Sequence, residues 1–233
     1  MLKELLDRIL ELKNAEVLEI GGRKYTTQPV RAVKDAEPET LEAATLTGLV
    51  DYLKANVDTL EPGKLIVHVE DHANVKLLSA LHGDFAQRDC LLHVKADLLQ
   101  MKFNAWVESE PFNIFMQACF QETEDRAAVL KVVGNIRENV VKDTSDDGIS
   151  QEVTIKSGVA RVADVKVPNP VTLKPFRTFA EVDQPASKFV FRMQEGPKCM
   201  LVEADGGAWR NEARQTIKKY LAEALPEGMT IIA

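Results

Sequence analysis

The spacing of apolar residues changes period several times along this chain, and each change marks an element. Leu2, Leu5, Leu6, Ile9, Leu10 and Leu12 form a broad stripe between charges, which predicts an amphipathic helix over residues 2–12. Four of them also fit a coiled-coil seam, but for only about two heptads, so the helix needs its own core or a neighbouring subunit to pack on. Glu16–Ile20, Gly21-Gly22 and Arg23–Thr27 read as a hairpin. Leu46, Leu49, Val50 and Leu53 share a helical face within a helix predicted from Thr40 to Asn56. Three runs, Leu65–Val69, Asn74–Leu81 and Asp89–Val94, predict a meander of strands. The period then returns to the helical one. Phe112, Phe115, Met116, Cys119 and Phe120 predict a helix with Ser109 at its N-cap and Pro111 in its first turn. Val129, Val132, Val133, Ile136 and Val140 predict a second, from about Thr123 to Val141, ended by a polar turn at Asp143–Gly148.

Strands follow at Gln151–Lys156 and Arg161–Val167. The densest local signals lie beyond them, between Val167 and Tyr220. Proline at 168, 170 and 175 forces an extended path and excludes a central, fully paired strand there. Phe176–Phe179 is predicted as a short edge strand. Lys188–Met193 alternates, with Phe189, Phe191 and Met193 on one face. Gly196-Pro197 turns the chain into a third strand, Cys199–Asp205. Asp205 or Gly207 then caps a helix from Ala208 to Leu225 whose inner face is Trp209, Ala213, Ile217, Tyr220, Leu221 and Ala224. Met229–Ile232 forms a last short strand. The fold class is α+β: antiparallel sheets with flanking helices and a C-terminal three-strand-plus-helix unit. The one candidate boundary, near Asp143–Gly148, separates an N-terminal α+β region (1–145) from a C-terminal β-rich unit (146–233); the alternative is one continuous domain.

Size and charge narrow the classes. A chain of 233 residues, 45% hydrophobic and 28% charged, can bury a core without metals or disulfides. No apolar run reaches the ~18 residues of a membrane span, and the N-terminus lacks a secretory pattern, so the expected address is the cytoplasm, with no membrane partner. Cys90, Cys119 and Cys199 form no C-x-x-C pair and are expected to be reduced and buried. The net charge of −7 disfavours bulk nucleic-acid binding, although residues 174–219, with nine basic and six acidic side chains, leave a local basic face.

The candidate chemistry is sparse. His68, Glu70 and His72 alternate as one face of a strand would, so two imidazoles and a carboxylate could converge on a metal; the competing reading makes Glu70-Asp71-His72 a turn. Asp143, Ser145, Asp147 and Gly148 match the start of a calcium loop, but the twelfth position is Thr154 and not a bidentate glutamate. Arg177, Glu181, Arg192, Glu203 and Asp205 stand among apolar strands. They could grip a phosphate, carboxylate or divalent ion, or tie strands or subunits together by ion pairs. Phe176, Phe179 and Trp209 could stack a base or fill a core or interface. No Walker, GxGxxG, G-x-S-x-G or H-E-x-x-H motif occurs, and no cofactor is expected.

The runs DDGISQEVTIKSGVA, VPNPVTL, LKPFRTFAEVDQP, KFVFRM and LVEADGGAWRNEA resemble the YfdQ-like family of phage- and prophage-encoded proteins, a domain of unknown function. The likeness spans about Trp106 to Leu225. It implies a phage or prophage origin, in the host cytoplasm or on the virion, and carries no chemistry. The leading expectation is a non-enzymatic accessory protein acting as a homo-oligomer. The alternatives are a nucleic-acid or nucleotide binder of phage DNA metabolism or counter-defence, using Phe176, Arg177, Arg192 and Trp209, and a metal-dependent enzyme using His68, His72, Glu203 or Asp205.

Overall fold

The computed structural model describes residues 3–6, 16–26, 37–83, 86–136, 140–146, 151–157, 160–194 and 198–233. The chain divides into two units, Met1–Glu37 with Gly83–Phe85, and Pro38–His82 with Ala86–Ala233. In the first, residues 3–6 are helical; the rest of the predicted N-terminal helix lies outside the described residues. The hairpin forms as expected, with β1 (Val17–Ile20) antiparallel to β2 (Arg23–Thr26) across Gly21 and Gly22, which take φ of 61° and 76°. Glycine adopts two such angles in succession at no steric cost.

The second unit holds two sheet-and-helix layers. The first layer is a five-stranded mixed sheet in the order β14-β4-β5-β6-β3. The meander of β4 (Leu65–Val69), β5 (Asn74–Ser79) and β6 (Cys90–Lys95) is antiparallel. The edge strands β3 (Leu41–Ala43) and β14 (Thr230–Ile232) pair in parallel with β6 and β4. Alternation places Leu65, Val67, Val69, Val75, Leu77, Leu92 and Val94 on the buried face. Against it pack Leu46, Leu49, Val50 and Leu53 of α1 (Leu46–Ala55) and Ile217 and Leu221 of α4 (Trp209–Ala224). Each such side chain contributes about 2–3 kcal/mol on leaving water.

The second layer is a four-stranded antiparallel sheet, β11-β12-β13-β7, with β7 at Val107–Glu108, β11 at Val171–Leu173, β12 at Ser187–Gln194 and β13 at Lys198–Glu203. Phe189, Phe191 and Met193 face inward as their alternation requires. With Cys199 and Leu201 they meet α2 (Ser109–Cys119) and α3 (Glu124–Ile136) through Phe112, Met116 and Val129. The Phe112 and Phe191 rings stack at 5.7 Å. A third sheet, β10-β9-β8, is antiparallel and comprises β8 (Val140–Asp146), β9 (Gln151–Ser157) and β10 (Ala160–Val167). Among the described residues no helix is long and apolar enough to cross a membrane.

The α+β class, the antiparallel sheets and the C-terminal strands followed by a helix stand as expected. Several boundaries differ. The helix predicted from Thr40 begins only at Leu46, because residues 41–43 pair with β6 and the Thr45 hydroxyl caps the helix by accepting from the Gly48 N–H. Glu108, not Ser109, holds the N-cap position of α2, without a side-chain bond. Val140 and Val141 leave the helical pattern for β8, which runs through Asp143–Asp146 where a polar turn was expected; pairing with β9 outweighs the spacing. The extended stretch between Pro170 and Pro175 is the edge strand, and Phe176–Phe179 is a loop. The Gly196-Pro197 turn lies outside the described residues.

That loop is organised by one buried side chain. Gln184 accepts from the Arg177 and Thr178 N–H groups at 2.9 and 3.2 Å. Its amide donates to the carbonyls of Phe179 and Val182 at 3.0 and 3.3 Å. Replacing Gln184 with Ala strands several buried backbone groups and is expected to lower stability in urea unfolding by roughly 3 kcal/mol. Replacing Thr40, which makes one bond to the Cys90 carbonyl, with Val is expected to cost about 1 kcal/mol.

Candidate functional site

The chain crosses between the two layers at the Gln184 loop and again after β13. Leu173 and Phe189 belong to the core of the four-stranded sheet, whereas Phe179 and Val182 belong to that of the five-stranded sheet. After Glu203 the chain leaves β13 and enters α4, whose Ile217 and Leu221 lie in the five-stranded layer. Arg177 sits where these crossings meet. Its guanidinium, only 5% exposed, donates to Glu203 Oε1 at 2.8 Å, to the Pro185 carbonyl at 3.5 Å and to the Ser187 hydroxyl. It lies 3.8 Å from the centroid of the Trp209 ring, the first residue of α4. Ser187 in turn donates to Asp205 Oδ2, and Asp205 Oδ1 accepts from the Gly207 N–H at 3.0 Å.

Three of the five charged residues singled out in the sequence, Arg177, Glu203 and Asp205, therefore come together, whereas Glu181 bonds Thr47. Arg192 does not join them. The register pairs Phe189 with Glu203 and Arg192 with Met200, so Arg192 projects from the opposite face of β12. Trp209 is buried between guanidinium groups, with Arg210 at 4.7 Å, and Phe179 is a core residue; neither offers a face to a base. Gly207 has φ of 80°, and a Cβ there would stand 2.5 Å from the Arg210 guanidinium. Asp205 binds that glycine's amide, while the N-cap position itself falls to Ala208 and has no side-chain bond.

The cluster is structural in its chemistry. Burial holds the Arg177 pKa down to about 10 despite Glu203 and Asp205 beside it. Burial pushes the Asp205 carboxyl upward, but the bonds from Ser187 and Gly207 and the charge of Arg177 outweigh it, and the carboxyl lies below its ordinary value. Ser187 is buried and spends its proton on Asp205, so it has no path to a substrate. Arg177 Nε and Trp209 Nε1 are buried with no acceptor among the described residues, a cost that the cation–π contact must help to offset.

The structure does not bring His68, Glu70 and His72 together as a metal centre. Glu70 pairs with Lys76 at 2.8 Å, and His72 lies in the turn with its ring edge-on to Trp209 at 4.8 Å. Among the described residues no group of three or more His, Cys, Asp or Glu could hold a metal ion. Asp143 and Ser145 lie in β8; Asp147 and Gly148 are outside the described residues. Cys119 and Cys199 are buried and Cys90 is partly so; burial raises both buried thiols, Cys199 to about 12, away from nucleophilic use.

A cavity of about 460 Å³ lies on the other side of the same loop. Phe176, Thr178, Phe179, Glu181 and Gln184 line it with Thr45 at the start of α1 and residues 96–99 after β6. Glu181 Oε1 accepts from the Thr47 N–H and hydroxyl, satisfying the first turn of α1. The sequence marked Phe176 as a ligand candidate, but nothing in it linked that residue to Asp97 or Glu181.

His72 supplies a pH test. Burial, helped by Arg210, Arg214 and Arg177 against the opposing charge of Asp71, holds its imidazole below the ordinary value of 6.5. A depressed imidazole contributes stability that is present above about pH 6.5 and lost as pH falls through the folded value. Wild-type stability is expected to fall from about pH 7 to pH 5, with a shallower fall in His72→Phe, as read by chemical unfolding across that range. Asp205 acts in a separate window, losing its contribution only as pH drops below the ordinary carboxylate value of 3.8.

Comparison of the chain with protein-family models, with curated proteins and with solved structures gives no match, so the YfdQ-like resemblance rests on the runs quoted for it.

Proposed function

We propose that this protein is a non-enzymatic assembly protein that works as a homo-oligomer. One observation carries the reading. In β1 and β2 the side chains of Val17, Leu18, Ile20 and Tyr25 are each 44–69% exposed. The register places Leu18 opposite Tyr25 and Ile20 opposite Arg23, so Leu18, Ile20 and Tyr25 share one face of the ribbon. Among the described residues this sheet has two strands, and a lone hairpin with an uncovered apolar face is marginal in water. A second copy of the hairpin supplies both the missing strands and the cover, because self-complementary faces are what symmetric oligomers use.

The rest of the molecule supports the same reading. The polar cluster around Arg177 is spent on holding two layers together. The likeness to phage- and prophage-encoded proteins supports an accessory role in that setting. A nucleotide is less well served, because Trp209 is enclosed and the cavity beside Phe176 carries the carboxylates of Asp97 and Glu181.

Light scattering coupled to size-exclusion chromatography tests the proposal. The wild-type chain is expected to elute as an oligomer at micromolar concentration, and Leu18→Glu with Ile20→Lys to shift to the monomer with an unchanged circular dichroism spectrum. A wild-type monomer under those conditions would overturn it.

A further inference from the structure

The cavity beside the Gln184 loop has a polarity that defines its ligand. Its volume of about 460 Å³ falls within the range of small-ligand sites, roughly 300–1,000 Å³. Apolar side chains make most of its wall, and Phe176 and Leu99 remain exposed at 38% and 55% although they line it. Two of the three side-chain donors on the wall are already used, and the third, the Thr45 hydroxyl, accepts from the Gly48 N–H. Thr178 Oγ1 donates to the His72 carbonyl at 2.6 Å, and the Gln184 amide serves the carbonyls of its own loop. Acceptors remain. Asp97 makes no hydrogen bond or ion pair among the described residues, and Glu181 commits only Oε1, to Thr47. The helix dipole at the start of α1 amounts to about half a positive charge and offsets only part of these two carboxylates.

A cavity with apolar walls, a single hydroxyl donor and two carboxylates repels anions and favours a cation over a neutral acceptor. We propose that it binds a primary ammonium or guanidinium group carried on an apolar stem, with the stem against Phe176, Leu98 and Leu99 and the cation between Asp97 and Glu181. Such a group is found on a free arylalkyl amine and on a lysine or arginine side chain of a partner. Charge-assisted bonds to the carboxylates hold the head, and burial of the stem adds the apolar contribution.

Calorimetric titration of the full chain with phenethylammonium chloride tests this directly, beside the neutral isostere 2-phenylethanol and the peptide acetyl-Ala-Lys-Ala-amide. Saturable binding of phenethylammonium is expected, at least about tenfold tighter than the alcohol. Asp97→Asn with Glu181→Gln is expected to remove that preference, because the glutamine carbonyl still accepts from Thr47 and keeps α1 capped. Saturation by the peptide as well would identify the ligand as a partner's side chain, and saturation by the amine alone as a small molecule; both support the site. Equal binding of amine and alcohol by the wild type, or no saturation by amine or peptide up to about 10 mM, would overturn it. The alcohol comparison needs no variant, so a misfolded double mutant does not blunt the test.

Discussion

A guanidinium buried to 5% exposure is the constraint around which the larger unit is arranged. An isolated charge in such a place costs several kcal/mol, so its surroundings are required to supply compensation. Arg177 obtains it from parts of the chain that the sequence keeps apart: Glu203 at the end of β13, Ser187 at the start of β12, and the ring of Trp209 at the start of α4. Those are the places where the chain leaves one hydrophobic core for the other. Meeting the needs of one side chain therefore fixes two crossings at once. Ser187 and Asp205 extend the network to Gly207, whose positive φ allows the sharp entry into α4 and leaves room for the Arg210 guanidinium.

The same loop has a second face. Gln184 gathers the backbone of residues 177–182, which turns Arg177 toward Trp209 and leaves Phe176 and Glu181 along the cavity. Glu181 also satisfies the first turn of α1, so the helix of one layer is bonded to the loop that comes from the other. The proposed cation site is thus built from the connections between layers, beside the core residues Phe179 and Ala96. The proposed oligomer uses a different surface, the apolar face of the N-terminal hairpin.

Much of this was legible from periodicity. The alternation of Phe189, Phe191 and Met193 and the helical spacing of Trp209, Ala213, Ile217 and Leu221 each reported the buried face correctly, because both patterns are local consequences of backbone geometry. The meander β4–β5–β6 was readable for the same reason. What periodicity could not show was pairing at a distance. Nothing in Leu41-Glu42-Ala43 marks a strand until β6 lies beside it, and Val140-Val141 continues a helical spacing that β9 overrides. The charged constellation was legible as an anomaly of composition, polar residues among apolar ones. Its membership depended on strand register, which puts Arg192 on the face of β12 opposite to that of Phe189 and Glu203. Asp97 was missed because it sits in a loop where a carboxylate is unremarkable, and nothing in the sequence linked it to Glu181 of the charged constellation.

The central claim is that Arg177 couples the two cores of this unit, so that they resist opening together. Amide hydrogen exchange read by mass spectrometry on Arg177→Ala, compared with wild type, tests it most directly. If the claim holds, protection falls by a similar factor in β4–β6 of one layer and in β12–β13 of the other, because both lose the same crossing. Loss of protection confined to β12 and the loop beside it, with β4–β6 unchanged, would contradict it.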